Sequence, residues 1–435
     1  MREDFSPCGR DGDAENSDGL SDGVSDKVTR DCRDVRPDVE TEEGPTDVSD
    51  TVLFESSEGS SGEVPDGKLG KKADKESVKR RKLPRFYLAV FCYGGAVAVL
   101  YLLFRLSVPL SDFFSENISP AVRGVMTFLS GLVPFSLYEA LLLSVPILIF
   151  LFIWLFLGGK RSFGRIVSFL LSCFIIGTSL FVFSTAPGYF GTSVADRLSL
   201  DGDGVTSEDM ASALEYLVCE IGEILETESF ATLESGETLM EGNIFDVSRK
   251  VVAAYGEMPS EFSFIKNVRS AAKPAVTGEV MTYLHLAGIY TAFTGEITVN
   301  TEYPDFIVVS TVAHEMAHQR GIAKEDEANF IAFAVLDSSD DPYLRYSGLL
   351  DAYSAVAGDL AASDYESYRE IASRLPRGAK RELAAYGDFF EKYRDSTASK
   401  VSNAANDAFL KSQGTEGTVA YSLSSRLIAA YLKER

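Results

Sequence analysis

The sequence predicts a mainly α-helical fold, in which three transmembrane helices precede a mostly helical soluble domain with a small β element. The first observation is uneven charge. The 435 residues include 64 acidic and 41 basic side chains, a net charge of −23, and the acidic ones crowd the N-terminus. The second is the presence of three long uncharged stretches soon afterwards. The third is that apolar residues beyond about residue 190 recur mainly at the three- and four-residue spacing of a helix.

The N-terminal segment 1–67 is rich in Asp, Glu, Ser and Gly and almost lacks aromatic residues. Such a segment buries too little apolar surface to offset the entropy of ordering, so we expect a disordered acidic tail. It does not resemble a signal peptide, because its start is acidic and has no apolar core. The basic segment 68–85 lies directly before the first uncharged stretch, which is typical of a juxtamembrane anchor.

The uncharged stretches at about 86–104, 140–159 and 166–189 are each long enough to cross the roughly 30 Å hydrocarbon core of a bilayer. Pro146 is compatible with the second span, because neighbouring helices can satisfy the carbonyl group that a proline frees. Three such stretches in close succession predict a membrane domain at 86–189 and make the lipid bilayer a partner. The acidic composition argues against binding to nucleic acid, which requires basic surface.

The distribution of basic residues predicts the orientation. The segment 68–85 and the short loop 160–165 are basic, whereas the loop 105–139 holds only two basic residues. Short cytoplasmic loops are enriched in Lys and Arg. We therefore expect a multi-pass protein of the cell membrane with a cytoplasmic N-terminus and an extracytoplasmic domain at 190–435.

Periodicity predicts the elements of this domain. Ser207 is expected to cap a helix that has an acidic first turn and apolar residues at helical spacing. Further helices are predicted near 341–361, 366–396 and 418–433. The segment 295–300 alternates and carries β-branched residues, so it is predicted to be a strand.

One pattern predicts chemistry. If His314 and His318 lie on a helix, they are one turn apart on the same face, where both imidazoles can reach one metal ion. Glu315 lies about 100° round the helix, close enough to hold a water molecule on that ion. Catalytic zinc takes three protein ligands and lowers the pKa of its water to about 7, so that a carboxylate can take the proton. We therefore predict a Zn²⁺ site with Glu315 as general base.

The third ligand must come from the next segment. Gly321 is expected to end the motif helix, and a second helix with an acidic first turn follows it. Either Glu325 or Glu327 can return to the metal. We expect Glu325, because the small Ala328 on its face lets the two helices approach closely. No long uncharged stretch contains the motif, so the site is predicted to lie outside the bilayer.

These features together resemble a bacterial membrane-protein family filed as "domain of unknown function 3810". The shared features are the three spans, the run Phe-Thr-Gly-Glu at 293–296, Asn300 and the signature HExxHQxGxxxExEANF at 314–330. The resemblance covers about 86–435 and implies a zincin-like soluble domain of a zinc metallopeptidase. The Glu-x-x-Ala-Asn element also resembles that of gluzincin-type peptidases, whose leading Glu is the third zinc ligand, which implies that role for Glu325.

The resemblance extends to substrate handling. In such peptidases a strand beside the motif helix binds the substrate backbone by strand addition, which implies that role for 295–300. Catalysis also needs a donor to the oxyanion. Tyr346 is the first candidate, followed by Arg345 and His285.

The sequence thus predicts a membrane-anchored zinc metallopeptidase that hydrolyses a peptide or protein substrate outside the membrane. Two alternatives remain: a non-hydrolytic, zinc-stabilised membrane sensor or scaffold, and a membrane assembly protein whose histidines are core residues. The presence of Glu315 favours the enzyme, because a structural metal site needs no general base. The sequence predicts neither the physiological substrate nor the oligomeric state.

Overall fold

The computed structural model describes residues 85–157, 163–394, 396–415 and 423–435. The predicted acidic tail 1–67, the basic segment before Arg85 and residues 160–162 of the basic loop 160–165 lie outside the described residues.

Among the described residues, three helices are long and apolar enough to cross a membrane, and they coincide with the three predicted spans. In chain order the membrane part contains α1 (Arg85–Leu106), α2 (Val108–Phe113), a π-helical turn (Phe114–Ile118), α3 (Ser119–Ser130), α4 (Leu137–Leu157) and α5 (Phe163–Ser184). The spans are α1, α4 and α5. The third span ends at Ser184 rather than at 189, because a separate short helix containing Pro187 follows it.

The rest of the chain is mainly helical with a small sheet, as predicted. It contains α6 (Ala186–Phe190), α7 (Val194–Leu198), α8 (Ser207–Thr227), α9 (Ile244–Glu257), a 3₁₀ turn (Ser260–Phe262), β1 (Ala272–Pro274), α10 (Gly278–Tyr283), β2 (Gly288–Thr291), β3 (Glu296–Val299), α11 (Asp305–Arg320), α12 (Glu325–Asp337), α13 (Pro342–Ser363), α14 (Tyr365–Ser373), α15 (Arg377–Glu391), α16 (Thr397–Ser412) and α17 (Leu423–Glu434).

Element ends differ from the sequence predictions for local reasons. The cap of α8 is Thr206 rather than Ser207, because Thr206 and Asp209 each accept a hydrogen bond from the other's backbone N–H in a capping box. The segment 366–396 divides into α14 and α15 just before Pro376, which caps α15. The helix α16 was not predicted, since few of its residues are apolar.

The sheet has the strand order β1-β3-β2, with β1 parallel and β2 antiparallel to β3. The predicted strand at 295–300 is therefore confirmed as β3, and all four of its residues are buried. Because β3 pairs on both sides, β2 and β1 form the edges of the sheet.

The motif helix α11 lies at the centre of the elements that follow the three apolar helices. It packs against α12, α13 and the strands β2 and β3. The start of α11 is rich in aromatic and β-branched residues, which are typical of a strand. Phe306, Val308 and Val309 are buried there, so this composition reflects a helix surrounded by apolar neighbours.

Candidate metal centre

A helix–turn–helix unit brings the predicted ligands together. Gly321 ends α11 with a φ of 105°, a left-handed conformation that glycine adopts without strain. The Ile322 N–H then donates to the Ala317 carbonyl at 3.1 Å, which turns the chain back. The helix α12 begins at Glu325, so its first carboxylate faces α11.

Three side-chain atoms converge at this corner. The Nε2 atoms of His314 and His318 are 3.0 Å apart. The Oε2 atom of Glu325 lies 3.3 Å from Nε2 of His314 and 3.6 Å from Nε2 of His318. Within the part of the chain that the structure describes, this is the one group of His, Cys, Asp or Glu side chains whose ligand atoms are close enough to hold a metal ion.

The arrangement fits zinc. Ligand atoms about 2.0–2.1 Å from a tetrahedral ion are separated by about 3.3 Å, close to the observed separations. The Nδ1 atom of His318 lies 2.8 Å from the Ile322 carbonyl oxygen. A carbonyl only accepts, so Nδ1 carries a proton, and Nε2, which faces the centre, is the atom that can give its lone pair to a metal ion. Burial alone would raise the pKa of Glu325, but the two histidines hold it far below its usual range.

Glu327, the alternative third ligand, is not part of this group. Its carboxylate accepts a hydrogen bond from the Val194 N–H at 3.1 Å. It also forms an ion pair with Lys324 Nζ at 3.0 Å. It is buried against α7 instead of facing the histidines.

Glu315 lies beside the three converging atoms and outside the ligand set. Its carboxylate is buried, and burial raises its pKa. The Tyr290 backbone N–H donates to it from β2. The neighbouring β2 residue, Gly288, leaves room for it: a β-carbon added to Gly288 would stand 2.8 Å from Oε1 of Glu315 and 2.5 Å from Cγ2 of Thr311. A free carboxylate at this position can accept a proton from a water molecule at the centre.

Sequence analysis did not predict the strand β2 or the place of Gly288 beside Glu315. The strand could have been predicted from the run Ile289-Tyr290-Thr291 after Gly288, which has the β-branched and aromatic composition of a strand.

Two predictions for the substrate side of the site are wrong. Tyr346 is fully buried and donates its hydroxyl to Glu382, at the edge of a separate cavity of about 380 Å³. It therefore has no access to the metal centre. The strand β3 has no free edge, so 295–300 cannot accept an added substrate strand; the edge strand β2 lines the site instead.

The two other candidates for oxyanion donor, Arg345 and His285, both bind other groups of the protein. Arg345 forms ion pairs with Glu220 and Asp337. His285 does line the cavity of the metal centre, but its Nε2 atom bonds to the Tyr393 carbonyl at 3.0 Å.

Other residues of this cavity were missed because they come from distant segments. Tyr189 of α6 lines it, and its pKa is raised by burial and by the nearby charge of Glu325. Asp351 of α13 also lines it; its side chain is open to the cavity, and the surrounding protein raises its pKa to about 6 against the opposing influence of His314. The buried Nδ1 atom of His314 has no hydrogen-bond partner among the described residues.

The cavity has a volume of about 1020 Å³ and is continuous from the metal centre to the membrane part. Its lining includes the whole of β2, residues of α5, and Asn406 and Phe409 of α16. The ring of Phe409 packs edge-on against Phe181 and Tyr189, with ring centroids 6.3 and 6.4 Å apart, so α16 lies beside the cavity.

The structure thus has three helices that could span a membrane and, among the described residues, one metal-compatible group of two histidines and a glutamate at the wall of an open cavity. The chain belongs to the family described as "Protein of unknown function (DUF3810)", whose sequence profile matches residues 114–429. The match begins after α1 and includes all residues of the metal centre. No curated protein and no solved structure matches this chain.

Proposed function

We propose that this protein is a membrane-anchored zinc metallopeptidase with His314, His318 and Glu325 as ligands and Glu315 as general base. The supporting observation is the convergence of three ligand atoms beside a buried carboxylate, at the wall of an open cavity. A purely structural zinc site has four protein ligands and is closed. Here three ligands face open space, which favours hydrolysis over a sensor or scaffold role.

When bound, zinc would supply Lewis-acid chemistry that polarises a carbonyl group and makes a water molecule acidic. Glu315 then accepts the proton of the attacking water and donates it to the amine that leaves. The edge of β2 that does not pair with β3 offers backbone groups, besides the Tyr290 N–H that already binds Glu315, to hold an extended substrate. Tyr189, whose raised pKa keeps its hydroxyl protonated, takes the oxyanion-donor role that Tyr346 cannot fill.

We also propose that the soluble domain is extracytoplasmic. It contacts the end of α1, where Arg105 donates to the Ser412 carbonyl at 3.3 Å, and the end of α5, where the Ser184 hydroxyl donates to the Ala292 carbonyl at 3.2 Å. The soluble domain and the start of α1 are thus at opposite ends of the span. The basic residues before α1 then favour a cytoplasmic N-terminus. Reporter fusions at both termini test this orientation.

The central test uses the full-length protein in nanodiscs. We expect about one zinc ion per chain and cleavage of members of a random peptide library. Glu315→Gln should keep the zinc and lose at least about 100-fold in rate, as loss of a general base does. A protein that folds without zinc, or a Glu315→Gln variant that cleaves as fast as the parent, overturns the proposal.

A further inference from the structure

The cavity of the metal centre extends along one face of the membrane helix α5. Its lining includes Phe174, Gly177, Thr178, Phe181 and Thr185. Counted from Phe174, the α5 positions follow the i, i+3, i+4, i+7 pattern of one helix face, and Thr185 comes directly after the end of α5, so together they form a single stripe. At about 1.5 Å per residue, the stripe is roughly 16 Å long and covers the half of α5 nearest the soluble domain. The cavity therefore reaches into the depth of one bilayer leaflet.

The opposite wall of the cavity begins at α4. Tyr138 lines the cavity, and its backbone N–H donates to the carboxylate of Glu296 in β3. Glu139 accepts hydrogen bonds from the N–H groups of Val276 and Thr277 at 2.9 and 2.8 Å. The start of α4 is therefore fixed to the soluble domain.

Beyond its start, α4 packs little against α5. Only 6% of the apolar part of α4 that could cross a membrane is buried. Large apolar side chains are exposed around its whole circumference: Leu141, Leu142, Leu143, Val145, Ile147, Leu148, Ile149, Phe150, Leu151, Ile153, Trp154 and Leu157. The helix α1 packs on α5 elsewhere, at Gly94 and Ile175. The cavity thus runs from the metal centre, past the start of α4, to the exposed face of α5.

The stripe on α5 suits a helix. Phe174 is 69% exposed, and a β-carbon added to Gly177 would meet no heavy atom within 4 Å. Small residues such as Gly177 and Thr178 let a second helix approach closely in a membrane, where close packing drives helix association. At the other end of the cavity, the free edge of β2 suits an extended backbone. A single polypeptide with a transmembrane helix and an adjoining extended segment fits both regions at once, whereas a lipid offers nothing for the strand edge.

We propose that the substrate is a membrane-spanning polypeptide whose transmembrane helix lies between α4 and α5, and whose juxtamembrane segment pairs with β2 and is cleaved at the metal centre. This inference rests on the proposed peptidase activity. The step is hydrolysis: the water oxygen bonds to the carbonyl carbon, the C–N bond breaks, and Glu315 transfers the water proton to the amine. The cut therefore falls close to the membrane surface.

The test uses full-length protein in nanodiscs with three probes that share one library of ten-residue segments. In the first probe the segments adjoin a single polyleucine transmembrane helix, in the second they adjoin a palmitoyl chain, and in the third they are soluble peptides. We expect the helix-anchored segments to be cleaved at least tenfold faster than the soluble ones. Gly177→Phe, or Thr178→Phe if the first variant misfolds, should lower the ratio of helix-anchored to soluble cleavage at least tenfold. Gly95→Phe is the matched control, because Gly95 is an exposed glycine of α1 with equally open surroundings.

The outcomes separate the two proposals. Equal cleavage of anchored and soluble segments, or a Gly177→Phe ratio equal to that of Gly95→Phe, overturns the inference and leaves the peptidase intact. Palmitoyl-anchored segments could be cleaved as fast as the helix-anchored ones and be equally sensitive to Gly177→Phe. That result would contradict the proposal that a transmembrane helix occupies the site. If the zinc-loaded protein cleaves none of the probes, the peptidase proposal fails, and the inference fails with it.

Discussion

Gly288 lies directly against Glu315, because a β-carbon at Gly288 would stand 2.8 Å from both Cγ and Oε1 of that carboxylate. The edge strand β2 and the motif helix α11 are therefore fitted to each other at the proposed general base. Strand and base are adjacent in space although 27 residues of chain separate them. The contact makes the position of the carboxylate dependent on a residue that bears no functional group.

Gly288→Ala is expected to displace Glu315 without touching a proposed ligand. Zinc content should remain that of the parent, while the rate of peptide cleavage falls roughly 100-fold, at the lower end of what general-base catalysis contributes. Zinc analysis and cleavage rates on the same preparation check this. Gly222→Ala on α8 is the control, since its β-carbon would meet only Pro376 Cγ at 3.9 Å. Equal cleavage by both variants would show that β2 does not position the base.

The two glutamates of α12 are expected to differ sharply. Glu325→Ala removes a proposed ligand and should weaken zinc affinity by more than the roughly 10- to 100-fold that loss of an outer partner costs. Glu327→Gln keeps an acceptor for the Val194 N–H and should retain zinc. Competition with a fluorescent chelator measures both affinities. Zinc loss in the Glu327 variant alone would reverse the ligand assignment.

Local signals predicted the elements and the ligand pair, because helix periodicity and the i, i+4 spacing of His314 and His318 are properties of a single segment. The preference for Glu325 over Glu327 agrees with the geometry, since it used the face that Ala328 shares with Glu325. The prediction that Tyr346 is the oxyanion donor was wrong because nothing in a sequence shows which way a tyrosine on a buried helix points. Tyr189, Gly288 and Asp351 were missed because they reach the cavity only through tertiary packing.

Tyr346→Phe is expected to affect stability and not catalysis. The buried hydroxyl donates to Glu382, which is itself fully buried, so its removal should lower the free energy of unfolding by about 1–3 kcal/mol. Cleavage rate at a temperature where the variant is folded should equal that of the parent. Thermal unfolding in nanodiscs and cleavage kinetics separate the two effects. A drop in kcat at unchanged stability would show that Tyr346 does take part in catalysis.

Tyr189→Phe provides the complementary test. Tyr189 lines the cavity beside Glu325, so loss of its hydroxyl should lower kcat roughly 100-fold, as removal of an oxyanion donor does, with little change in KM or zinc content. The aromatic ring that packs on Phe190 and Phe409 is retained. Unchanged kcat would assign Tyr189 to the packing of α16.

Asp351→Asn is expected to act on the metal through His314. The Nδ1 atom of His314 is buried and has no hydrogen-bond partner among the described residues, and Asp351 is a carboxylate of the same cavity that, like Glu315 and Glu325, interacts electrostatically with that histidine. A carboxylate that orients a ligating histidine strengthens metal binding, so the variant should lose about 10- to 100-fold in zinc affinity. Asp340→Asn, at an exposed site outside the cavity, should bind zinc like the parent. Equal zinc affinity in both variants would mean that Asp351 faces substrate instead of supporting His314.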